Sequence, residues 1–233
     1  MMPLSPAWHL QDSLVTTREV RGRRIPRWIK WAYTAFVAVI TPVYARQYGW
    51  RNFLWFSDVA LLSMVAALWL ESPLMASMQA VSITVPETGW TIDFAAQALV
   101  RRRPIGLADY MFDRKIPALT RAVSLFHVWL PPLILWTVSR LGYDRRAFRL
   151  QTLTTWTLLA VTYAVTEPAD DINWVYGVSG SPQHQIDGRV YLLLVMAGYP
   201  AVFHWPAHRV FTRLFPDRHD VAPLDRTPAP PPR

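Results

Sequence analysis

Residues 119–139 read LTRAVSLFHVWLPPLILWTVS, and Arg121 carries the one fixed charge in this stretch. A hydrocarbon core about 30 Å thick takes on the order of 20 helical residues to cross, so the stretch predicts a membrane-spanning helix. Similar apolar blocks lie on both sides of it. The predicted helices are Trp31–Tyr44, Phe53–Leu70, Met75–Ala98, Leu119–Ser139, Leu150–Thr166 and Val190–Phe211. The predicted fold class is therefore all-α, a polytopic membrane bundle of about six transmembrane helices.

The composition of the chain agrees with this class. Hydrophobic residues make up 52% of the 233 residues and charged residues 17%, whereas soluble domains carry roughly 25% charged residues. Cysteine is absent, which excludes a disulfide framework and a thiol nucleophile. The first 30 residues lack a short apolar core with a small-residue cleavage site, so we expect no removable signal peptide.

The net charge of +8 is concentrated before the first apolar block, in an arginine-rich segment. Positive charge flanking a first span is typical of a cytoplasmic N-terminus, so we expect a bacterial inner-membrane protein with its N-terminus inside. No aromatic stacking pattern accompanies these arginines, and we therefore predict no nucleic-acid partner. The predicted organisation is a basic segment over 1–30, a transmembrane domain over 31–214 and a disordered proline-rich tail over 215–233. The basic stretch Arg101–Arg121 falls on the outer side in this topology and departs from the positive-inside rule. One explanation is a third helix that is re-entrant or lies on the surface.

Ionisable residues inside apolar spans are candidates for a functional site, because each costs several kcal/mol unless it is paired or faces a cavity. The candidates are Asp58, Glu87, Asp93, His127, His204 and His208. His127 is the predicted general base, with Asp58 as the carboxylate that orients its Nδ1. Ser57 is the candidate nucleophile, although neighbouring helical residues point about 100° apart. The structural alternatives are a hydrogen-bonded core histidine and a carboxylate that complements a helix dipole.

Two other groups of residues suggest cation binding. His204 and His208 are spaced i, i+4, which places two imidazoles on one helix face as a divalent metal requires. An interfacial pair of histidines is the alternative. The acidic loop over 167–173 offers oxygen ligands for a hard cation such as Ca²⁺, or is a solvated connection.

The twelve tryptophans invite a pigment or quinone hypothesis. Most of them fall near predicted span ends, which is typical of an interfacial aromatic belt and requires no ligand. The sequence therefore identifies no cofactor.

Three strings carry a resemblance to known families: NFLWFSDVALL, DYMFDRKIPALTRAVSLFHVWLPPLILW and TEPADDINWVYG. They resemble a bacterial family of uncharacterised multi-pass membrane-associated proteins over residues 45–215. More distantly, the first string and His127 followed by Pro132 are similar to the androgen-induced and androgen-dependent coagulation-regulator proteins, which are six-helix intramembrane hydrolases of lipid esters.

The distant resemblance implies a threonine nucleophile on an early helix and a histidine base on a middle helix. His127 matches the histidine, and Asp58 matches an acidic position after the nucleophile. The nucleophile position itself is Trp55, so Ser57, Thr120 or a water molecule would have to attack the ester.

Two functions are therefore open. One is a non-catalytic accessory subunit or apolar-ligand-binding protein of a membrane complex, with membrane lipids and other membrane subunits as partners. The other is an intramembrane lipid-ester hydrolase that uses His127. No complete catalytic constellation can be named from the sequence, which favours the first.

Overall fold

The computed structural model describes residues 25–178 and 181–215, and every regular element among them is helical. The α-helices are α1 (Arg27–Tyr48), α2 (Phe56–Trp69), α3 (Pro73–Val100), α4 (Ala118–Val123), α5 (Phe126–Leu141), α6 (Ala147–Val165), α7 (Gly188–Tyr199) and α8 (Trp205–Leu214). Short 3-10 turns cover Trp50–Leu54, Asp109–Met111 and Ile172–Trp174. Most of the predicted basic segment and of the proline-rich tail lies outside the described residues.

The eight helices form six rods, because α4 runs into α5 and a π turn over Pro200–His204 joins α7 to α8. Each rod corresponds to one of the six predicted apolar helices, so the all-α prediction is confirmed. The third rod is one continuous helix of 28 residues with Pro86 inside it. Pro86, with Glu87 and Asp93, interrupts the apolar sequence of this rod but does not break the helix. Pro86 removes a single backbone donor, and the packing of α3 against its neighbours maintains the helix.

Two rods within the described residues are long and apolar enough to cross a membrane by length and composition. They are Ala118–Leu141, with 24 residues, and Gly188–Leu214, with 27 residues. The others fall short for identifiable reasons. Helix α2 has 14 residues, α3 carries Glu87 and Asp93, and α6 is rich in threonine. Two of the six predicted spans thus pass this test within the described residues, and the polytopic arrangement of about six spans stays a prediction.

The rods run alternately up and down, as contacts at the two ends of the bundle show. At the end where α1 begins, which we call the near end, Lys30 Nζ lies 2.6 Å from Glu71 Oε1. The Asp144 backbone N–H donates to Ser77 Oγ at the same end, over 2.9 Å. At the opposite, far end, Arg51 Nη1 lies 2.9 Å from Asp170 Oδ2. These contacts place the loops after α2 and α5 at the near end and those after α1 and α6 at the far end.

Helix α3 lies at the centre of the bundle and packs against α2, α5, α6 and α8. Both α2 and α3 contain fully buried alanines, among them Ala60, Ala67, Ala76 and Ala80. Small residues allow two helix backbones to approach closely, which favours van der Waals packing even without a hydrophobic driving force. This central position lets α3 hold buried polar residues against several neighbours at once.

Several ionisable side chains lie inside the bundle beside its apolar core, and many large apolar side chains lie on its outer surface. Asp58, Glu87, Asp93 and His127 are buried inside the bundle. Large apolar side chains are exposed along the rods, including Val39, Leu62, Ile92, Leu153, Trp156, Val161, Leu193, Leu194 and Val202. Soluble monomers rarely expose extended apolar surfaces of this kind.

Candidate functional site

The central feature of the bundle interior is a hydrogen bond between two ionisable side chains from different helices. His127 Nδ1 lies 2.7 Å from Glu87 Oε2. His127 is in the first turn of α5 and is 9% exposed, whereas Glu87 is in the middle of α3 and is 5% exposed. With the carboxylate as acceptor, Nδ1 carries the proton and Nε2 is the nitrogen that remains for other chemistry.

The local sequence prepares this position on α5. Pro131 follows His127 by four residues and has no N–H, so it cannot donate to the His127 carbonyl as a normal helical residue would. At the junction of α4 and α5, the His127 N–H donates to the Ser124 carbonyl over 3.2 Å. The two adjacent prolines therefore lie next to the site in the fold as well as in the sequence.

Aromatic rings enclose the pair. The Trp90 ring stacks on the His127 imidazole with centroids 4.6 Å apart and an interplanar angle of 25°. Trp90 follows Glu87 by three residues, so both side chains lie on the same face of α3. Tyr110, from the loop after α3, approaches Trp90 with centroids 6.2 Å apart. The walls exclude water, and a low local dielectric strengthens the hydrogen bond that they enclose.

A second hydrogen-bonded group lies one turn before His127. Ser124 Oγ is 2.7 Å from the Thr120 carbonyl, to which it donates its single proton. The Tyr44 hydroxyl, 2.6 Å from the same oxygen, must therefore be a donor to it. Burial raises the pKa of the nearby Tyr110 phenol, so that it remains protonated. Ser124 thus accepts from the Tyr44 phenol, and its own proton is directed at a carbonyl rather than at His127.

Asp58 has a different environment from the one predicted. The sequence predicts Asp58 as the partner of His127 Nδ1, but the structure gives Glu87 in that position. The physical reason is the packing, since α3 rather than α2 is the principal partner of α5. Asp58 Oδ2 accepts a hydrogen bond from Asn52 Nδ2 over 3.0 Å. Its other oxygen, Oδ1, is buried and has no hydrogen-bond partner among the described residues.

Asp58 nevertheless belongs to the same site. The side chain is 3% exposed and interacts electrostatically with both His127 and Glu87. We call Asp58, Glu87 and His127 the polar cluster. It combines two carboxyl groups and an imidazole, and one carboxyl oxygen retains unused capacity to accept a hydrogen bond.

The predicted nucleophiles are not joined to His127 by hydrogen bonds within the described chain. Ser57 is half-buried beside Asp58, and the structure gives no hydrogen bond from its hydroxyl to the imidazole. Thr120 is buried, and its carbonyl accepts from Ser124. Sequence reasoning overlooked Ser124, although its spacing of three residues before His127 was a usable signal.

The two histidines of the last rod have separate partners. His204 lies at the end of the π turn, with its ring nitrogens 3.4 Å from the hydroxyls of Thr152 and Thr155 on α6. His208 Nδ1 lies 2.8 Å from the Tyr143 hydroxyl. The part of the chain that the structure describes contains no group of three or more residues able to hold a metal ion.

The acidic loop connects elements of the far end. Asp170 pairs with Arg51, and Asp171 Oδ1 accepts from the backbone N–H groups of Tyr176 and Gly177 over 2.9 and 3.1 Å. Asn173 Oδ1 accepts from the Phe56 N–H over 3.1 Å, and its Nδ2 donates to the Leu54 carbonyl over 2.7 Å. These hydrogen bonds and the ion pair hold the loop against the residues around the start of α2.

The geometry of the polar cluster allows proton transfer at His127 Nε2 and acceptance of a hydrogen bond at Asp58 Oδ1. Comparisons with protein families, with curated proteins and with solved structures find no match to this chain. Its function is therefore argued from its own residues.

Proposed function

We propose that this chain is a multi-pass integral membrane protein of a bacterial inner membrane that binds an apolar chain as a component of a membrane complex. The observation that carries the proposal is the apolar outer surface of the bundle, where many large hydrophobic side chains are exposed while several ionisable groups are buried. In water, such a surface would associate or precipitate. In a bilayer, the same surface faces hydrocarbon and needs no covering protein.

The dimensions of the rods support this proposal. At about 1.5 Å per residue, five of the six rods are roughly 28 to 42 Å long, comparable with a hydrocarbon core of about 30 Å. Helix α2 is shorter, and the 3-10 turn before it extends that rod. Fixed charges that are exposed lie toward the two ends, as in Arg46 and Arg101 at the far end and Arg149 and Arg213 at the near end.

A groove on the outer surface supports the binding of an apolar chain. It has a volume of about 470 Å³ and is lined by Val59, Met78, Leu150, Leu153, Thr154, Thr157, Leu158 and Val161. Ligand pockets commonly measure about 300 to 1,000 Å³. The Thr154 hydroxyl donates to the Leu150 carbonyl and the Thr157 hydroxyl to the Leu153 carbonyl, over 2.9 and 3.0 Å. Both hydroxyls donate within α6, so a bound apolar chain would leave neither of these protons without a hydrogen-bond acceptor.

Extraction and native mass spectrometry test the two parts of the proposal. The membrane fraction of expressing cells, washed with alkaline carbonate, should retain the protein in the pellet. Release into supernatant would overturn membrane insertion. The detergent-purified protein should then carry acyl-chain lipids or partner subunits in a native mass spectrum.

A pair of tryptophan variants locates the bound chain. Leu153→Trp fills the groove and should remove the bound lipid, whereas Leu193→Trp, at an exposed position on α7, should leave it in place. Equal retention by both variants would exclude the groove as the binding site.

A second candidate function, lipid-ester hydrolysis, is favoured by the 2.7 Å contact between Glu87 and His127. A carboxylate that holds Nδ1–H leaves Nε2 as the base. In this mechanism His127 Nε2 takes a proton as a water oxygen bonds to the ester carbonyl. The tetrahedral intermediate then expels the alkoxide, which takes the proton back from the imidazolium. The products are a carboxylic acid and an alcohol, and Glu87 stabilises the imidazolium between the two steps.

Turnover of long-chain esters tests this second function. His127→Gln should lower the rate about 100-fold or more, as expected for loss of a general base. Glu87→Gln should lower it less, because the imidazole remains. His208→Gln, which alters a histidine at the near end, should leave the rate unchanged. If the purified protein turned over no long-chain ester, or if His127→Gln had no effect, the hydrolase function would be abandoned.

A further inference from the structure

The loop after α3 carries a dense set of exposed cations at the far end of the bundle. The exposed cationic residues are Arg101, Arg102, Arg103, Arg114 and Lys115. Arg103 forms an ion pair with Asp109. The side chains of Arg101, Arg102, Arg114 and Lys115 have no carboxylate partner among the described residues. Some cations elsewhere are paired, as Arg51 is with Asp170 and Arg146 with Asp144, but the loop after α3 brings these four together.

A buried carboxylate holds this loop in a defined shape. Asp93 is 0% exposed, and its two oxygens accept from the backbone N–H groups of Ile105, Gly106 and Ala108 over 2.9 to 3.1 Å. Gln97 donates to Asp93 and to Asp109 over 2.9 and 3.0 Å. The cations are thus presented on a fixed backbone, which lowers the entropy lost when a ligand binds to them.

Apolar side chains are exposed among the same cations. Leu99 is 84% exposed and Val100 is 66% exposed, at the end of α3. Ile105, Phe112 and Leu119 are also exposed along the loop. The surface therefore offers positive charge and hydrocarbon side by side, which is the combination found where a protein meets the headgroup region of a bilayer.

We propose that this surface, formed by residues 99–105 and 112–119 and here called the basic rim, binds the phosphate groups of anionic phospholipids. The arginine guanidinium groups donate to the phosphate oxygens, and the exposed Leu99, Val100 and Ile105 insert among the adjoining acyl chains. The far-end position places the rim at a bilayer surface, so this inference rests on the proposed membrane insertion. It also accounts for the basic stretch that departs from the positive-inside rule. Each Lys or Arg near an anionic surface strengthens binding about fivefold.

The test uses the full chain in nanodiscs made from phosphatidylcholine mixed with phosphatidylglycerol. Native mass spectrometry gives the ratio of the two lipids retained by the released protein. The wild type should retain phosphatidylglycerol in preference. In Arg101→Gln/Arg102→Gln/Arg114→Gln, the preference for phosphatidylglycerol should fall at least tenfold. The difference from the wild type should be smaller at high salt, because salt screens the attraction between the arginines and the anionic lipid.

The control variant removes the same charge at the near end. Arg27→Gln/Arg149→Gln/Arg213→Gln alters three exposed arginines there and should keep at least half of the wild-type preference. Helical content by circular dichroism should be equal in all three proteins. Equal losses in the two variants, or no preference in the wild type, would overturn the lipid site while leaving membrane insertion intact. Failure of the protein to enter nanodiscs would overturn insertion and the lipid site together.

Discussion

Asp93 and the polar cluster both bury carboxyl groups on or against α3, yet the two regions use them differently. Both oxygens of Asp93 are fully engaged, with three backbone N–H groups and one side-chain amide as donors. In the polar cluster, Glu87 hydrogen-bonds the His127 imidazole. Asp58 Oδ1 has no partner among the described residues. Asp93 has all the features of a structural residue. The cluster retains hydrogen-bonding capacity that the fold itself does not consume.

The difference has an energetic meaning. A buried polar group that lacks a partner costs roughly 1 to 3 kcal/mol, and such a cost persists where a function requires it. Stability measurements can therefore separate the two regions. Removal of a structural carboxylate should destabilise the fold, whereas removal of an unsatisfied one should not.

The largest effect is expected for Asp93→Ala, which leaves three buried backbone N–H groups without an acceptor. We expect a loss of about 3 to 5 kcal/mol in the free energy of unfolding, comparable to that from breaking a buried charged interaction. Denaturant unfolding in detergent, followed by tryptophan fluorescence, measures it. Asp113→Ala, at an exposed position in the same loop, is the matched control and should change stability little. A loss below about 1 kcal/mol in Asp93→Ala would remove the contrast between the two regions.

The second effect concerns the Glu87–His127 pair. Either single replacement, Glu87→Leu or His127→Leu, leaves the other group buried without its partner and should cost about 3 kcal/mol. The double replacement removes both polar groups and should be neutral or stabilising relative to the wild type. A double variant as unstable as the two single variants together would show that the pair stabilises the fold, as Asp93 does.

A third and smaller effect is expected at Asp58. Asp58→Asn keeps the shape of the side chain and an oxygen that can accept from Asn52. It removes the carboxylate, whose other oxygen has no partner among the described residues. The free energy of unfolding should stay constant or rise by about 1 kcal/mol, and any activity or ligand binding at the cluster should fall. Ser57→Ala, one residue away and half-buried, is the control for local disturbance of α2. A loss of stability larger than that of the control would mean that a partner holds Asp58 Oδ1.

The rods of the bundle could be predicted from the sequence because each needs only an uninterrupted apolar stretch. Their internal breaks could not. The predicted helix Leu119–Ser139 divides after Val123, and the predicted helix Val190–Phe211 contains the π turn over Pro200–His204. Conversely, Pro86 predicts a break that α3 does not have. In each case the packing of neighbouring rods decides whether a local signal for a break is obeyed.

The site was predictable only in part for a similar reason. His127 stands out because it is ionisable in an apolar stretch, and Glu87 stands out in the same way. Their pairing depends on the packing of α3 against α5 across 40 residues of sequence, which no local pattern encodes. Asp58 matches the acidic position that the distant resemblance implies, so the sequence predicted it, rather than Glu87, as the partner of His127. The contact of Tyr110 with Trp90 could not be foreseen either, since Tyr110 lies in the loop that Asp93 holds.

The smallest effect is expected at Asp144, in the turn between α5 and α6, which serves as a half-buried reference for the fully buried carboxylates. Hydrogen bonds from Arg146, whose Nη2 lies 2.8 Å from Asp144 Oδ2, hold the pKa of this carboxyl below its ordinary value. Because the folded-state pKa is the lower one, the contribution is present above the unfolded-state pKa and is lost as the pH falls through the folded-state pKa. Asp144→Asn should therefore lower the unfolding midpoint slightly at neutral pH, and by less at about pH 2.

Unfolding midpoints of the wild type and of Asp144→Asn at both pH values measure this difference, with Asp113→Asn as the exposed control. The effect should be small because water screens the arginine side of the pair. A difference that persisted at low pH would mean that the carboxylate acts through the geometry of the turn, where its oxygen also accepts from the Arg146 N–H, rather than through its charge. Asp93 would then need the same distinction, since it too accepts from backbone N–H groups. Asp93→Asn, which keeps an oxygen acceptor but loses the charge, would provide it.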